Sequence, residues 1–240
     1  MNLDLGTVMQ RAGRLADRTA VVTGAAAGLG RAIAVALAQE GANVVLHHLL
    51  PEEAPAATET ARQIQALART AIVVQADITQ PSGAYTVAET AIAAFDHVDI
   101  LVNNAGFRLR QPFDGMTLEL FEATMAANMG STFLMVRHLL PLMRARGYGR
   151  IVTTVDSTAM EGARGMTAYG AAASALLGFT RSLVHEFGEH DIAANCVCPG
   201  HMPADANGEE EDWAGITPAY VFLASDDAYA MIGQTLRPSP

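Results

Sequence analysis

Short apolar runs alternate with longer amphipathic stretches along most of the chain. Thr19–Val22, Asn43–His47, Ala71–Ala76, Val98–Val102, Ile151–Val155 and Ile192–Val197 are brief, rich in β-branched side chains and without polar alternation. Each reads as a buried strand, with Gln234–Leu236 as a last edge strand. Between them, Arg31–Glu40, Glu52–Leu67, Tyr85–Phe95, Thr167–Gly188 and Pro218–Ala224 carry apolar residues at helical spacing. So does a pair, Leu118–Ala127 leading into Gly130–Arg146, in which Pro141 marks an expected kink. Fully apolar strands, each followed by a helix, predict an α/β domain: a doubly wound parallel sheet of about seven strands, helices on both faces. Residues 18–240 make that single domain. Residues 1–17, with Leu3, Leu5, Val8 and Met9, read as a mildly amphipathic extension.

The polar residues of interest fall where these strands end, which is where such sheets bind ligands. After the first strand comes Thr23–Gly30, TGAAAGLG. Its glycines permit a tight turn and a close approach to a ligand, and the next helix points its amide donors and positive dipole end at the same place. A pyrophosphate suits that position, although a glycine turn between strand and helix also serves packing alone. His47 and His48 follow the second strand, Asp77 the third, Asn103–Gly106 the fourth, Asp156 and Ser157 the fifth, and Pro199–Gly200 the sixth.

Composition narrows the function classes. Half of the 240 residues are apolar, 17% are charged, and the net charge is −10 with no basic cluster, which argues against a nucleic-acid partner. The first ten residues lack a signal-peptide pattern and no apolar run is long enough to cross a bilayer, so no membrane partner is expected, and a soluble, cytoplasmic protein is. Cys196 and Cys198 sit on one strand and read as core residues, and no metal site is expected.

Taken in order, these stretches resemble the short-chain dehydrogenase/reductase family across nearly all of residues 18–236, and so imply a Rossmann-like fold. Thr23–Gly30 matches the family's TGxxxGxG loop, Asp77–Ile78 its adenine-contacting pair, and Asn103–Gly106 its NNAG. Asn128 stands at its helical active-site asparagine, Tyr169 opens its YxxxK helix, and Asn195 with Pro199–Gly200 matches NxVxPG. The resemblance implies hydride transfer between a nicotinamide cofactor and a carbonyl or alcohol of a small-molecule substrate. Tyr169 would be acid and base, Ser157 would orient the substrate oxygen, and Asn128 would hold a water. Cofactor contacts would come from Gly24, Gly28, Leu29, Gly30, His48, Asp77, Ile78, Asn104, Ala105, Gly106, Pro199, Gly200 and Met202. A homodimer or homotetramer is implied through the helices around Leu118–Arg146 and Thr167–Gly188.

The pattern also breaks. Ala173 stands four residues after Tyr169, where the family has the lysine that lowers the tyrosine pKa. Ser157 lies twelve residues before Tyr169 and Asp156 holds the usual thirteenth place; the preferred assignment keeps the role on Ser157. The substrate lid is shortened to about 201–217, Ala204 replaces a threonine, and Arg108, Arg110, Arg164 and His201 are cations near the cleft. His47 and His48 stand where an aspartate would select NAD, which tilts the choice to NADP, weakly, because Ala27 is not an arginine. The leading expectation is an NAD(P)-dependent oxidoreductase. The alternatives are a non-redox enzyme on the same scaffold (lyase, dehydratase, isomerase or cyclase), with the nucleotide absent or structural, and a catalytically dead nucleotide-binding partner.

Overall fold

The computed structural model describes residues 13–187, 191–200 and 213–238. Seven parallel strands form one sheet in the order β3-β2-β1-β4-β5-β6-β7. They are β1 Thr19–Val22, β2 Asn43–His48, β3 Ala71–Gln75, β4 Ile100–Asn103, β5 Tyr148–Thr154, β6 Asp191–Val197 and β7 Thr235–Leu236. The helices are α1 Gly28–Gln39, α2 Ala54–Ala66, α3 Pro81–Phe95, α4 Leu118–Met125, α5 Ser131–Arg146, α6 Thr158–Glu161, α7 Thr167–Phe187 and α8 Thr217–Ala224.

The sheet is apolar on both faces because both are covered. Side chains alternate along a strand, so Ala20 and Val22 join Val44 and Leu46 in one core with α1, α2 and α8. Val21 and Val45 face the other way, into a second core with α3, α5 and α7. Cys196 and Cys198 are buried free thiols in a small satellite core with Val155 and Leu176, as the sequence predicts. The segment past β5 opens with the short helix α6. One local expectation is corrected. Pro141 lies inside an uninterrupted α5; the departure from α geometry comes earlier, in a π-helical turn at Ala126–Gly130.

At the amino ends of the strands a charged network closes the domain. Arg150, only 1% exposed, pairs with Asp191 at 2.8 Å and Asp226 at 3.6 Å, and Arg18 reaches Asp99 at 3.5 Å. The Arg18 and Arg150 guanidiniums both stack over the Tyr148 ring, 3.6 and 4.2 Å from its centroid, and its hydroxyl donates to Asp226 Oδ1 at 2.8 Å. Burial, more than any neighbour, pushes its phenol above the ordinary range. At the opposite, carboxyl end, strand order reverses between β1 and β4, and the chain leaves a cleft there.

Candidate active site

The cleft has a volume of about 1200 Å³. Its floor is the loop between β1 and α1, braced from β4 (Thr23 and Asn104 supply the contacts). Thr23 Oγ1 accepts the Asn104 and Ala105 amides at 3.0 and 2.9 Å, and Asn104 Nδ2 donates to the Thr23 and Gly24 carbonyls at 3.2 Å. The NNAG stretch therefore holds the glycine loop in shape, a role for Thr23 that the sequence reading missed. Gly24 has φ +63° and Ala105 Cα where its Cβ would be, 3.0 Å away. At Gly30 a Cβ would strike the Gly24 carbonyl, so this turn passes directly over the first glycine of the loop. Leu29, Gly28, Asp77, Ile78 and Gly106 line the cleft as expected. One Asp77 oxygen is held by the Thr79 amide and hydroxyl at 3.0 and 2.6 Å.

The end of β2 is rearranged relative to expectation. His48 does not line the cleft: strand alternation turns it away, buried, with Nδ1 on the Leu50 carbonyl at 3.0 Å. His47 does line it. The Gly24 N–H donates to His47 Nδ1 at 3.3 Å, so Nε2 carries the proton and donates to the Ala76 carbonyl at 2.9 Å. Burial lowers the His47 pKa and keeps this bridging tautomer neutral. Beyond the end of β2 the cleft wall contains a residue that periodicity does not single out, Glu53. Its Oε2 accepts the Leu49 and Leu50 amides at 3.0 and 2.9 Å, and it lines the cleft.

Tyr169, on the first turn of α7, lines the cleft together with Asp156, Arg108 and Ala173. Ser157 is absent from the lining, and its amide donates to the Gly200 carbonyl at 3.2 Å. The residue presented beside Tyr169 at the end of β5 is Asp156, whose side chain is 0% exposed. Asp156 Oδ1 accepts the Thr158 amide at 2.8 Å, and Oδ2 lies 3.9 Å from Arg108 Nε. The Tyr169 phenol is pushed up to about 12, by burial first and then by the Asp156 carboxylate, while Arg108 pulls the other way. Asn128 sits in the π-helical turn, buried. It accepts the Phe107 amide at 3.1 Å and donates to the Phe107 and Thr124 carbonyls at 2.9 and 2.8 Å. Both of its amide hydrogens are thus spent on protein, and its side chain ties the turn to the loop that carries Arg108.

Arg110 and Arg164 are exposed and line no part of the cleft. Pro199 and Gly200 follow β6 at the same end of the sheet without lining the cleft, and Gly200 has φ +101°. Met202, His201, Ala204, the acidic run at 209–212 and most of the N-terminal extension lie outside the described residues. Among the described residues no helix is long and apolar enough to cross a membrane.

Comparison with known proteins agrees with this fold. The sequence model for short chain dehydrogenases matches residues 18–215. L-Rhamnose 1-dehydrogenase (NAD(P)(+)) of Azotobacter vinelandii is 33% identical over 246 residues, 92% of this chain and 95% of its own. A 3-oxoacyl-[acyl-carrier-protein] reductase of Synechocystis is 31% identical, over 93% of this chain and 96% of its own. A crystal structure from Sinorhizobium meliloti, assigned as a short-chain alcohol dehydrogenase, superposes with a TM-score of 0.85 at 30% identity. It covers 93% of this chain and 95% of its own.

Proposed function

The chain belongs to the short-chain dehydrogenase family and is an oxidoreductase dependent on a nicotinamide cofactor; we propose that it reduces a carbonyl with Tyr169 as the proton donor. The observation that carries this reading is Tyr169 facing the same cleft as the glycine loop, with its phenol held protonated. Two features fit the cofactor's pyrophosphate: the turn at Gly24 and Gly30 that admits no side chain, and the α1 amides that open onto it. When bound, the cofactor supplies or accepts the hydride. The chain's own part is to hold the dinucleotide on that loop, to brace it with Asn104, and to donate the Tyr169 proton to the substrate oxygen. In this reading the cleft wall at Asp156 and Arg108 takes the place expected of Ser157. Asn128 acts as a positioning residue that fixes the Phe107 loop.

The cofactor preferred in this proposal is NAD, against the tilt to NADP that the histidines suggest. The support is Glu53, which sets a carboxylate and two spent amides at the ribose corner where a 2′-phosphate would need donors. Arg31, the nearest lining cation, is occupied by the Ala26 and Ala56 carbonyls and Thr60. A second copy of the chain is the proposed partner for α4 and α5, whose Leu118, Phe121 and Phe133 are exposed. Sedimentation as a monomer at micromolar concentration would refute that partner. The cofactor test is a titration with NADH and NADPH followed by cofactor fluorescence. Tighter NADH binding is expected, and no binding of either by folded protein would end the oxidoreductase proposal.

A further inference from the structure

The proposed reduction creates charge where the family's lysine would share it, and this chain has alanine there. As the carbonyl carbon takes hydride from a reduced nicotinamide cofactor, its π pair moves to oxygen. The oxygen takes the Tyr169 proton, and the O–H bonding pair stays behind as a phenolate. That phenolate forms beside a buried carboxylate. The groups that act on Tyr169 come from three elements: Asp156 past β5, Arg108 beyond β4 and Cys198 past β6. Asp156 and Cys198 oppose a phenolate, and among the described residues Arg108 is the cation that favours one.

Resting on the oxidoreductase reading, we propose that Arg108, ion-paired at long range with Asp156, does the electrostatic work of the absent lysine on Tyr169. The geometry suits this. Asp156 accepts the Thr158 amide at one oxygen, and its other oxygen lies 3.9 Å from Arg108 Nε, close enough for charge attraction though beyond hydrogen-bond distance. Arg108 follows Phe107, whose amide and carbonyl are both pinned by Asn128, so its backbone is anchored at the cleft. Its side chain is 21% exposed and lines the cleft. A planar guanidinium can keep one edge on a carboxylate and turn another toward oxygen, which a point-charge ammonium at the end of a free stem does less well. Arg108 is thus the stabiliser of the Tyr169 phenolate, and Asp156 is the positioning residue that fixes it and keeps the resting tyrosine protonated.

The test needs no cofactor. Phenolate absorbance is titrated in each protein and in its Tyr169→Phe counterpart, and the difference isolates Tyr169. Asp156→Asn should lower the Tyr169 titration by about one pH unit or more, and adding Arg108→Gln should raise it again by about one. In turnover, Arg108→Gln should lose about tenfold or more in kcat with cofactor affinity unchanged, and Arg108→Lys should recover much of it. A titration that Arg108→Gln leaves unmoved in the Asp156→Asn background, together with unchanged kcat, overturns the role of Arg108 and leaves the oxidoreductase reading standing. A titration that moves as expected, in proteins that never turn over, upholds the coupling and ends the oxidoreductase reading instead. Should Asp156→Asn fail to fold, the kcat difference between Arg108→Gln and Arg108→Lys decides, with equal values overturning the proposal.

Discussion

Two tyrosines flank β5, Tyr148 at its start and Tyr169 beside the residue that follows its end, and each has arginine and aspartate for company. Tyr148 is spent. Its ring is stacked on by two guanidiniums and its hydroxyl is committed to Asp226. Tyr169 has the same kinds of neighbour, Arg108 and Asp156, yet among the described residues its hydroxyl takes no hydrogen bond and its ring borders the cleft. In the proposed reading the same three residue types serve stability at one end of the strand and proton transfer at the other. What separates them is whether the phenol oxygen has been given a partner by the fold or left for one that arrives.

That contrast can be broken by exchanging the two positions in function. Tyr169→Phe should cost about 10²- to 10⁴-fold in hydride transfer, with cofactor affinity and thermal midpoint close to wild type. Tyr148→Phe should do the reverse: turnover unchanged, and stability lower by about 1 kcal/mol for the lost hydrogen bond to a carboxylate that water can re-solvate. Arg150→Met should cost more stability than Tyr148→Phe. It removes a buried guanidinium from the Gly149 and Asp191 carbonyls and the Tyr148 ring, and should cost about 2 kcal/mol in urea unfolding with the folded enzyme fully active. A loss of activity without loss of stability would contradict the division between the two ends.

Smaller effects sharpen the cleft itself. Glu53→Gln should shift the ratio of NADPH to NADH affinity roughly tenfold toward NADPH, about 1.4 kcal/mol, readable by titration. His47 gives the smallest effect. Its folded pKa lies below the unfolded value of about 6.5, so the unfolded chain binds more protons between the two. Its contribution is fully present above about pH 6.5 and fades as pH falls through the lowered folded value. His47→Asn should flatten the acid side of the thermal midpoint against pH, relative to wild type.

Much of this was legible in the chain. Strand after strand of β-branched residues without polar alternation announces a sheet buried on both faces, and the structure places Val21 and Val22 in opposite cores accordingly. The glycine loop, Asp77 and NNAG are marked by lying just past strands, where periodicity marks the boundary, whereas Tyr169 is marked only by the resemblance to the family's YxxxK helix. The finer assignments depend on which way a side chain turns. Ser157 and Asp156 are neighbours, and a one-residue shift past a strand end decides which faces the cleft. His47 and His48 pose the same question on β2, and alternation answers it only once the register is known. Glu53 was missed for a different reason: it acts by folding back on the Leu49 and Leu50 amides, a local contact that no spacing rule anticipates. Arg108 was visible as a cation near the cleft, but its selection over Arg110 and Arg164 needed the Asn128 anchor.

The most direct test of hydride transfer is to follow the hydride itself. The protein is given a carbonyl panel and a reduced nicotinamide cofactor carrying deuterium at its hydride position, and the products are read by mass spectrometry. Deuterium on the former carbonyl carbon, formed by wild type and by Tyr148→Phe but not by Tyr169→Phe, is the result predicted here. Products that form without deuterium, or form equally well with Tyr169→Phe, would contradict it.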